Sequence, residues 1–447
     1  MGQTAIHLAF AVAYAAIFLG TLALARTRKP WAAAVLTGSV PFALYTHLRH
    51  TDLTLAKFAL LGALVGLLSG GGLREAFNTL RNGIGAPMLY ALAAVAAVAA
   101  ASIAVASYPA EALRQTLKDL QYLVLFAVTA LLAQEDAEPA VLAAAAATLA
   151  VALAAIAQLW TGAPSALPLL GEIVPRVAGP LEGPNQLAAF LDVALPLLLA
   201  YGLRTRQDRA RSTLYGAALA AGCAALLLTF SRAGIATGFG ALVLVLIWRG
   251  RAGVAANQTP AKAGALGILG GFALSLLALA RAGVIAHPLS ASTALLGRAD
   301  TTYVGGIGTR SELWRAAIAL WGRHKLLGVG AGNFELELGR VGLHGVRTHA
   351  NSAYLQALAE TGIVGLAALI ALTLASIFPY WLRARRSALC AGIAAGSAAL
   401  AVHGAVDLLT FFEKVGQFWI CVCALPAARA GHDLLDRKWL DDGTRRR

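Results

Sequence analysis

The sequence predicts an all-α polytopic membrane protein, a bundle of 12–13 transmembrane helices interrupted by one large polar loop. Three observations carry that expectation. Of 447 residues, 59% are hydrophobic and 13% charged, against about 25% charged in a soluble domain, and mean hydropathy is +0.70. Apolar runs of the roughly 20 residues that a helix needs to cross a ~30 Å hydrocarbon core recur from end to end. The short alternating segments of a transmembrane barrel do not occur. Hydropathy divides the chain into N-terminal spans over 1–286, a polar loop over 287–353, C-terminal spans over 354–431 and a basic tail over 432–447.

The expected spans, in order, are 5–25, 31–47, 52–70, 86–107, 117–133, 139–160, 185–203, 211–230, 233–248, 262–286, 354–382, 387–407 and 415–431. The count falls to twelve if the short second run does not cross. The first run has no basic segment before it and is followed by Arg26, Arg28 and Lys29, so it reads as a retained anchor rather than a cleaved signal. The alanine-rich stretch 139–157 suits close helix packing in lipid, and Gly70-Gly71-Gly72 reads as a helix end. The net charge of +14 would suggest nucleic acid in a soluble protein. Here much of it clusters at the ends of apolar runs, which is a topology signal, and no nucleic-acid partner is expected. Placing Arg26/Arg28/Lys29, Arg74/Arg81, Arg204–Arg211, Arg249–Lys262, Arg383–Arg386 and Arg445-Arg446-Arg447 in the cytoplasm puts 161–184, Ser231-Arg232, 287–353 and 407–414 together on the opposite face. Cys223, Cys390, Cys421 and Cys423 all lie in apolar runs without a metal or redox spacing, and read as buried thiols.

Three elements on that opposite face carry chemistry. In Arg176-Val177-Ala178-Gly179-Pro180-Leu181-Glu182-Gly183-Pro184-Asn185, the prolines stiffen the approach to a span and Asn185 caps it. Arg176 has no such structural excuse and is a candidate substrate contact. In Thr229-Phe230-Ser231-Arg232, Arg232 interrupts two apolar helices. It reads either as a side chain snorkelling to the outer head groups or as a functional charge, since a charge at membrane depth costs ~2.5–3.5 kcal/mol on insertion scales. The large loop is basic, with six arginines and His287, His324, His344 and His349 against Asp300, Glu312, Glu335 and Glu337. Thr309-Arg310-Ser311-Glu312 fits a capping box, which predicts a helix to about Arg323 with an apolar face of Leu313, Trp314, Ala317, Ile318 and Trp321. Arg310 then stands at a helix N-terminus, where free amides and a guanidinium fork suit phosphate oxygens. Gly328-Val329-Gly330-Ala331-Gly332-Asn333 lacks the strand–helix setting of a nucleotide site and reads as a tight turn. His349 precedes a helix that starts near Ser352, whose dipole favours the neutral imidazole that a general base requires.

No set of side chains has a metal-ligand spacing and no nucleotide motif appears, so neither a metal nor a cofactor is expected. An extracytoplasmic reaction without nucleotide needs an activated donor. A lipid-linked sugar pyrophosphate fits, with arginines on the diphosphate and the bundle around the polyprenyl chain.

At this point the residues resemble a known family. Arg176…Gly179…Pro184-Asn185, Thr229-Phe230-Ser231-Arg232, Thr309-Arg310-Ser311-Glu312-Leu313-Trp314, Leu326 to Phe334, and His349-Ala350-Asn351-Ser352-Ala353-Tyr354-Leu355-Gln356…Glu360-Thr361-Gly362 are similar in order and spacing to the O-antigen ligase and polymerase superfamily, over about 170–370. The resemblance implies an inner-membrane O-antigen ligase. Such an enzyme moves O-antigen from undecaprenyl diphosphate to lipid A–core at the periplasmic face, without metal or ATP. The family's functional arginines fall on Arg232 and Arg310 and its essential histidine on His349; Arg176, Asn185, Asn351 and Tyr354 are the expected substrate contacts. Relatives often carry a second His-Asn where this chain has Asn351-Ser352, which leaves His344 as the alternative base. The competing readings are an O-antigen polymerase, a protein O-oligosaccharyltransferase and a lipid-linked glycan flippase. A flippase predicts charges at mid-membrane in several spans and internal repeats, and neither stands out in the sequence.

Overall fold

The computed structural model describes residues 3–48, 51–169, 172–203, 208–251, 270–271, 273–274, 277 and 310–429. Most of the expected span 262–286, the first part of the polar loop including Thr309, and the tail 432–447 lie outside the described residues. The chain is helical, with two short antiparallel hairpins. Its elements are α1 (Gln3–Thr27), α2 (Lys29–Ser39), β1 (Ala43–Leu48), β2 (Thr51–Thr54), α3 (Leu55–Ser69), α4 (Leu73–Asn82), α5 (Ala86–Ser102), α6 (Pro109–Ala133), α7 (Glu138–Thr161), β3 (Ser165–Leu169), β4 (Glu172–Arg176), α8 (Pro184–Gly202), α9 (Arg209–Leu228), α10 (Arg232–Arg251), α11 (Arg310–Arg323), α12 (Phe334–Glu337), α13 (Ala353–Trp381), α14 (Ala388–His403) and α15 (Glu413–Ala424).

Among the described residues, eight helices are long and apolar enough to cross a membrane, and the pair α3–α4, bent by 115°, would make a ninth. Three expected spans are shorter than the sequence predicts. α2 has 11 residues because Pro41 follows its end and the chain turns into the β1–β2 hairpin; a proline lacks the amide that would continue the helix. α14 has 16 residues and stops at Gly404, and α15 has 12 and stops ahead of Pro426.

α8 is the axis of the bundle, with every residue from Leu187 to Tyr201 buried against α9, α10, α14 and α15. Gly392 and Gly396 let α14 lie directly on the α8 backbone at Leu197 and Val193, the close approach that small residues permit where no hydrophobic force separates protein from lipid.

α5, α7, α9 and α14 finish at one end of the bundle, where α6, α8, α10, α13 and α15 begin. Contacts across that end join Ser102 to Ala331, Tyr108 to Asn333, Val177 to Leu228 and Ala353 to Gly404. Arg211 pairs with Glu138, and Arg429 with the Gln134 carbonyl, at the opposite end.

α13 is broken one helical stretch in, at Gly362 (φ 67°, ψ −163°). The break exposes backbone groups that the segment 325–330 then satisfies: Val329 and Gly330 donate to the Ala359 and Glu360 carbonyls, while Ile363 and Val364 donate to the Lys325 and Leu326 carbonyls. Irregular backbone at this depth is tolerable only when so paired. A Cβ at Gly362 would run into the Leu326 carbonyl, and one at Gly328 into the Glu360 backbone. Gly362→Ala is therefore expected to lose about 2 kcal/mol or more through forced φ and clash, read as a lower melting temperature in detergent. An unchanged melting temperature would contradict this docking.

Candidate active site

The site is built around the turn between α14 and α15. Asp407, 5% exposed, accepts from its neighbour Leu408 at Oδ1 (2.8 Å) and from the Asn185 amide at Oδ2 (2.6 Å). Asn185 in turn accepts from Arg176 Nη2 (2.9 Å), whose Nε donates to the Thr229 carbonyl (2.8 Å). Arg310 Nη2 lies 4.0 Å from Asp407 Oδ2 with its side chain 40% exposed. One carboxylate thus ties together the start of α8, the β4 strand, the turn into α10 and the start of α11. Burial lowers the Arg176 pKa from its ordinary value, Asp407 opposes that shift, and Arg310 adds to it.

Arg232 follows this cluster directly. Thr229 closes the turn by accepting from the Ser231 amide at Oγ1 (3.1 Å), and Phe230 takes a left-handed φ of 50°. Arg232, exposed, opens α10 and has no ion-pair partner among the described residues. Two guanidinium groups, Arg176 and Arg310, against one carboxylate leave a surplus of positive charge suited to an anion such as a diphosphate, and Arg232 stands at the same end of the bundle.

His349 sits on the same turn from the other side. Its ring lies 4.7 Å from Phe411 and 5.9 Å, edge-on, from Phe412, and Lys118 covers the Phe411 ring at 4.1 Å while bonding the Phe411 carbonyl. His349 Nδ1 is 2.7 Å from Glu335 Oε1, within ion-pair reach but out of line for a hydrogen bond. The close contact with His349 holds the Glu335 carboxyl below the usual carboxylate range, against an opposing effect of burial, with lesser help from the charges of His349 and Arg347.

Two residues of α13 fix this pair. Gln356 accepts from the Ala350 amide (2.8 Å) and donates to Glu360 (2.7 Å). Glu360 accepts from the amides of Gly332 (2.9 Å) and Phe334 (3.3 Å), and Phe334 is the first residue of the short helix that carries Glu335. Beside them a cavity of about 170 Å3 runs between α5, α6, α13 and α14, with Asp119, Gln115, Glu360 and Phe411 among its lining residues.

The structure gathers Arg176, Asn185, Arg232, Arg310 and His349 at one end of the bundle. Contrary to expectation, Asn185 does not cap α8; Gly183 holds the N-cap position, and the Asn185 side chain is drawn to Arg176 and Asp407, a charged pair it bridges. Among the described residues α11 runs over Arg310–Arg323 and ends where expected, but its buried face is Leu313, Ala316, Ala317 and Leu320, and Ile318 is half exposed. Tyr354 bonds the Ala401 carbonyl (2.9 Å), a tie between α13 and α14. Asn351 adopts φ 50°, and its Nδ2 is buried without a partner among the described residues. His344 is exposed. Asp407, Glu335, Phe411, Gln356 and Glu360 were not singled out by sequence as site residues.

Fold and site together define a multi-pass membrane protein with a cationic pocket beside an imidazole–carboxylate pair. Residues 217–370, about a third of the chain, match the family model described as O-antigen ligase. That stretch is similar to membrane enzymes of the ligase or polymerase type, in keeping with the eight membrane-length apolar helices among the described residues. No curated protein matches the chain. The family match takes in Arg232, Arg310, Glu335, His349 and Glu360, and leaves Arg176, Asn185 and Asp407 outside it.

Because the Glu335 pKa is depressed in the folded protein, its contribution to stability is present above the unfolded carboxylate pKa of about 4.3 and is lost as pH falls through the folded value. Glu335→Gln should melt earlier than the parent at pH 7, with the gap closing as the pH drops below about 4. A gap of constant size across a pH series of melting curves would contradict the His349–Glu335 pairing.

Proposed function

We propose that the protein is an O-antigen ligase that transfers O-antigen polysaccharide from undecaprenyl diphosphate to a hydroxyl of lipid A–core, with the site facing the periplasm. The observation that carries the chemistry is the Glu335 carboxylate 2.7 Å from His349 Nδ1, next to a cluster of guanidinium groups. A carboxylate that close favours the proton on Nδ1 and leaves the Nε2 lone pair free; a small turn of the ring aligns the pair, and His349 is then a general base with an orienting partner.

In the proposed step the acceptor oxygen attacks the anomeric carbon as the bond from that carbon to the diphosphate oxygen breaks. His349 takes the acceptor proton, and polyprenyl diphosphate departs with the bonding electron pair. Arg232 and Arg310 stabilise the charge that grows on the leaving group, a transition-state role rather than docking alone. Arg176 is held by two hydrogen bonds and shapes the pocket. The apolar cavity beside α13 accommodates part of the isoprenoid chain. A direct displacement inverts the anomeric configuration. The polymerase reading differs only in acceptor, another lipid-linked glycan.

Gene deletion separates the two. The ligase leaves lipid A–core without any O-chain while polymerised lipid-linked chain accumulates; single repeat units on the core would instead mean polymerase. Complementation with His349→Ala, Arg232→Lys or Arg310→Lys should fail, because a base typically contributes 10²–10⁴-fold and a point charge does not replace a guanidinium fork. His344→Ala should restore the chain. Restoration by His349→Ala would overturn the base assignment, and restoration by both lysine variants would overturn the diphosphate role.

A further inference from the structure

Below the site, the bundle interior holds an ionisable pair that the proposed chemistry does not use. Asp192 of α8 and His403 at the end of α14 are 0% and 1% exposed, with Oδ2 and Nδ1 2.8 Å apart. Thr237 of α10 brings its Oγ1 to 2.9 Å from the same Asp192 oxygen and 2.8 Å from the Ala233 carbonyl, so its single proton can serve either. Asp192 Oδ1 is buried without a partner among the described residues. α10 is pressed onto this group by two glycines one turn apart: a Cβ at Gly234 would meet Ala188 and the His403 ring, and one at Gly238 would meet Asp192 Oδ1 at 2.8 Å. Ionisable side chains at this depth are rare and mark function by default.

Each of the three helices that meet here also presents a site residue at its outer end. Asn185 lies seven residues before Asp192 on α8 and Arg232 five before Thr237 on α10, while Asp407 follows His403 by four. At 1.5 Å per helical residue the first two offsets are roughly 7–10 Å along the axis. A hydrogen-bonded polar group between apolar helices has one acceptable register, because any slide leaves an unpaired charge or carbonyl in a medium without water. Apolar contacts alone, on helices as rich in alanine and leucine as these, would tolerate several. The hydrogen bonds at the site bring the pocket's side chains together at the helix ends, and the group below them adds the restraint on sliding of the helices themselves.

We propose that the Asp192–His403–Thr237 group is a positioning clamp that fixes the register of α8, α10 and α14 and so holds Asn185, Arg232 and Asp407 in the arrangement that binds the donor diphosphate. The inference rests on the proposed function for its catalytic consequence and on the packing alone for its structural one.

The test compares purified full-length parent with Asp192→Leu/His403→Leu and Asp192→Asn. Replacing a buried ion pair with apolar residues of similar volume is commonly neutral for stability, so the double variant should keep its melting temperature. Its kcat/KM for a polyprenyl-diphosphate-linked glycan should fall about 10–100-fold, the scale of a small misplacement of reacting groups. Spin labels at Ala236→Cys and Val402→Cys should give one narrow distance distribution in the parent and a shifted or broadened one in the double variant. Asp192→Asn keeps an acceptor for His403 and Thr237 and should stay near the parent in both readouts. Should the double variant fail to insert, Thr237→Val is expected to lower kcat/KM several-fold at an unchanged melting temperature; parent-like kinetics would overturn the clamp. So would an unchanged distance distribution in the double variant, or Asp192→Asn being as damaging as the double leucine change. Absence of transfer by the parent would overturn the proposed function, while the distance readout would still decide the clamp.

Discussion

The arrangement depends on one buried carboxylate. Asp407 has almost no access to water, and a charge in that position is tolerated only with partners that satisfy it. Its partners come from elements far apart in the chain: Asn185 from α8 and Arg310 from α11, with Arg176 joined through Asn185. Satisfying Asp407 therefore assembles the cationic pocket, and the turn that carries it also offers Phe411 and Phe412 to His349. The base and the proposed diphosphate site are two sides of one short segment between α14 and α15.

A second constraint acts from α13. The break at Gly362 frees backbone groups for the 325–330 segment, and Glu360 and Gln356 hold Gly332, Phe334 and Ala350 in place. Glu335 and His349 lie immediately beyond those anchor points. Their 2.7 Å approach is thus set by buried hydrogen bonds of a membrane helix, which is more exacting than the loop's own small apolar cluster of Ala317, Phe334 and Leu338. Rigid support of this kind is what general-base geometry requires.

The helical membrane architecture was legible in the sequence because hydropathy reports burial in lipid directly. Span ends were less so: Pro41, Gly404 and Pro426 shorten three expected helices although the flanking residues stay apolar. Arg176, Arg232 and Arg310 could be picked out because a charge outside the basic clusters has no topological reason to be there, and His349 because it precedes a helix N-terminus in their company. Asp407 and Glu335 could not, since a lone acid in a turn carries no spacing signal, and what gives each its meaning is a partner many residues away. Asn185 was misread for the same reason. Asp192 is different. An aspartate inside the run Leu187–Leu199 is a visible anomaly by the rule that charge at membrane depth is functional, and only its partner His403, 211 positions away, was beyond sequence reasoning.

The central claim is that Arg310, held at Asp407, and Arg232 at the start of α10 bind the donor's diphosphate beside the His349–Glu335 pair. A structure of the purified protein with a non-transferable polyprenyl-diphosphate glycan bound tests it most directly. The account predicts diphosphate oxygens within hydrogen-bond reach of Arg232 and Arg310, with the anomeric carbon on the side that His349 faces. A diphosphate bound elsewhere on the protein, with both arginines unengaged, would contradict it.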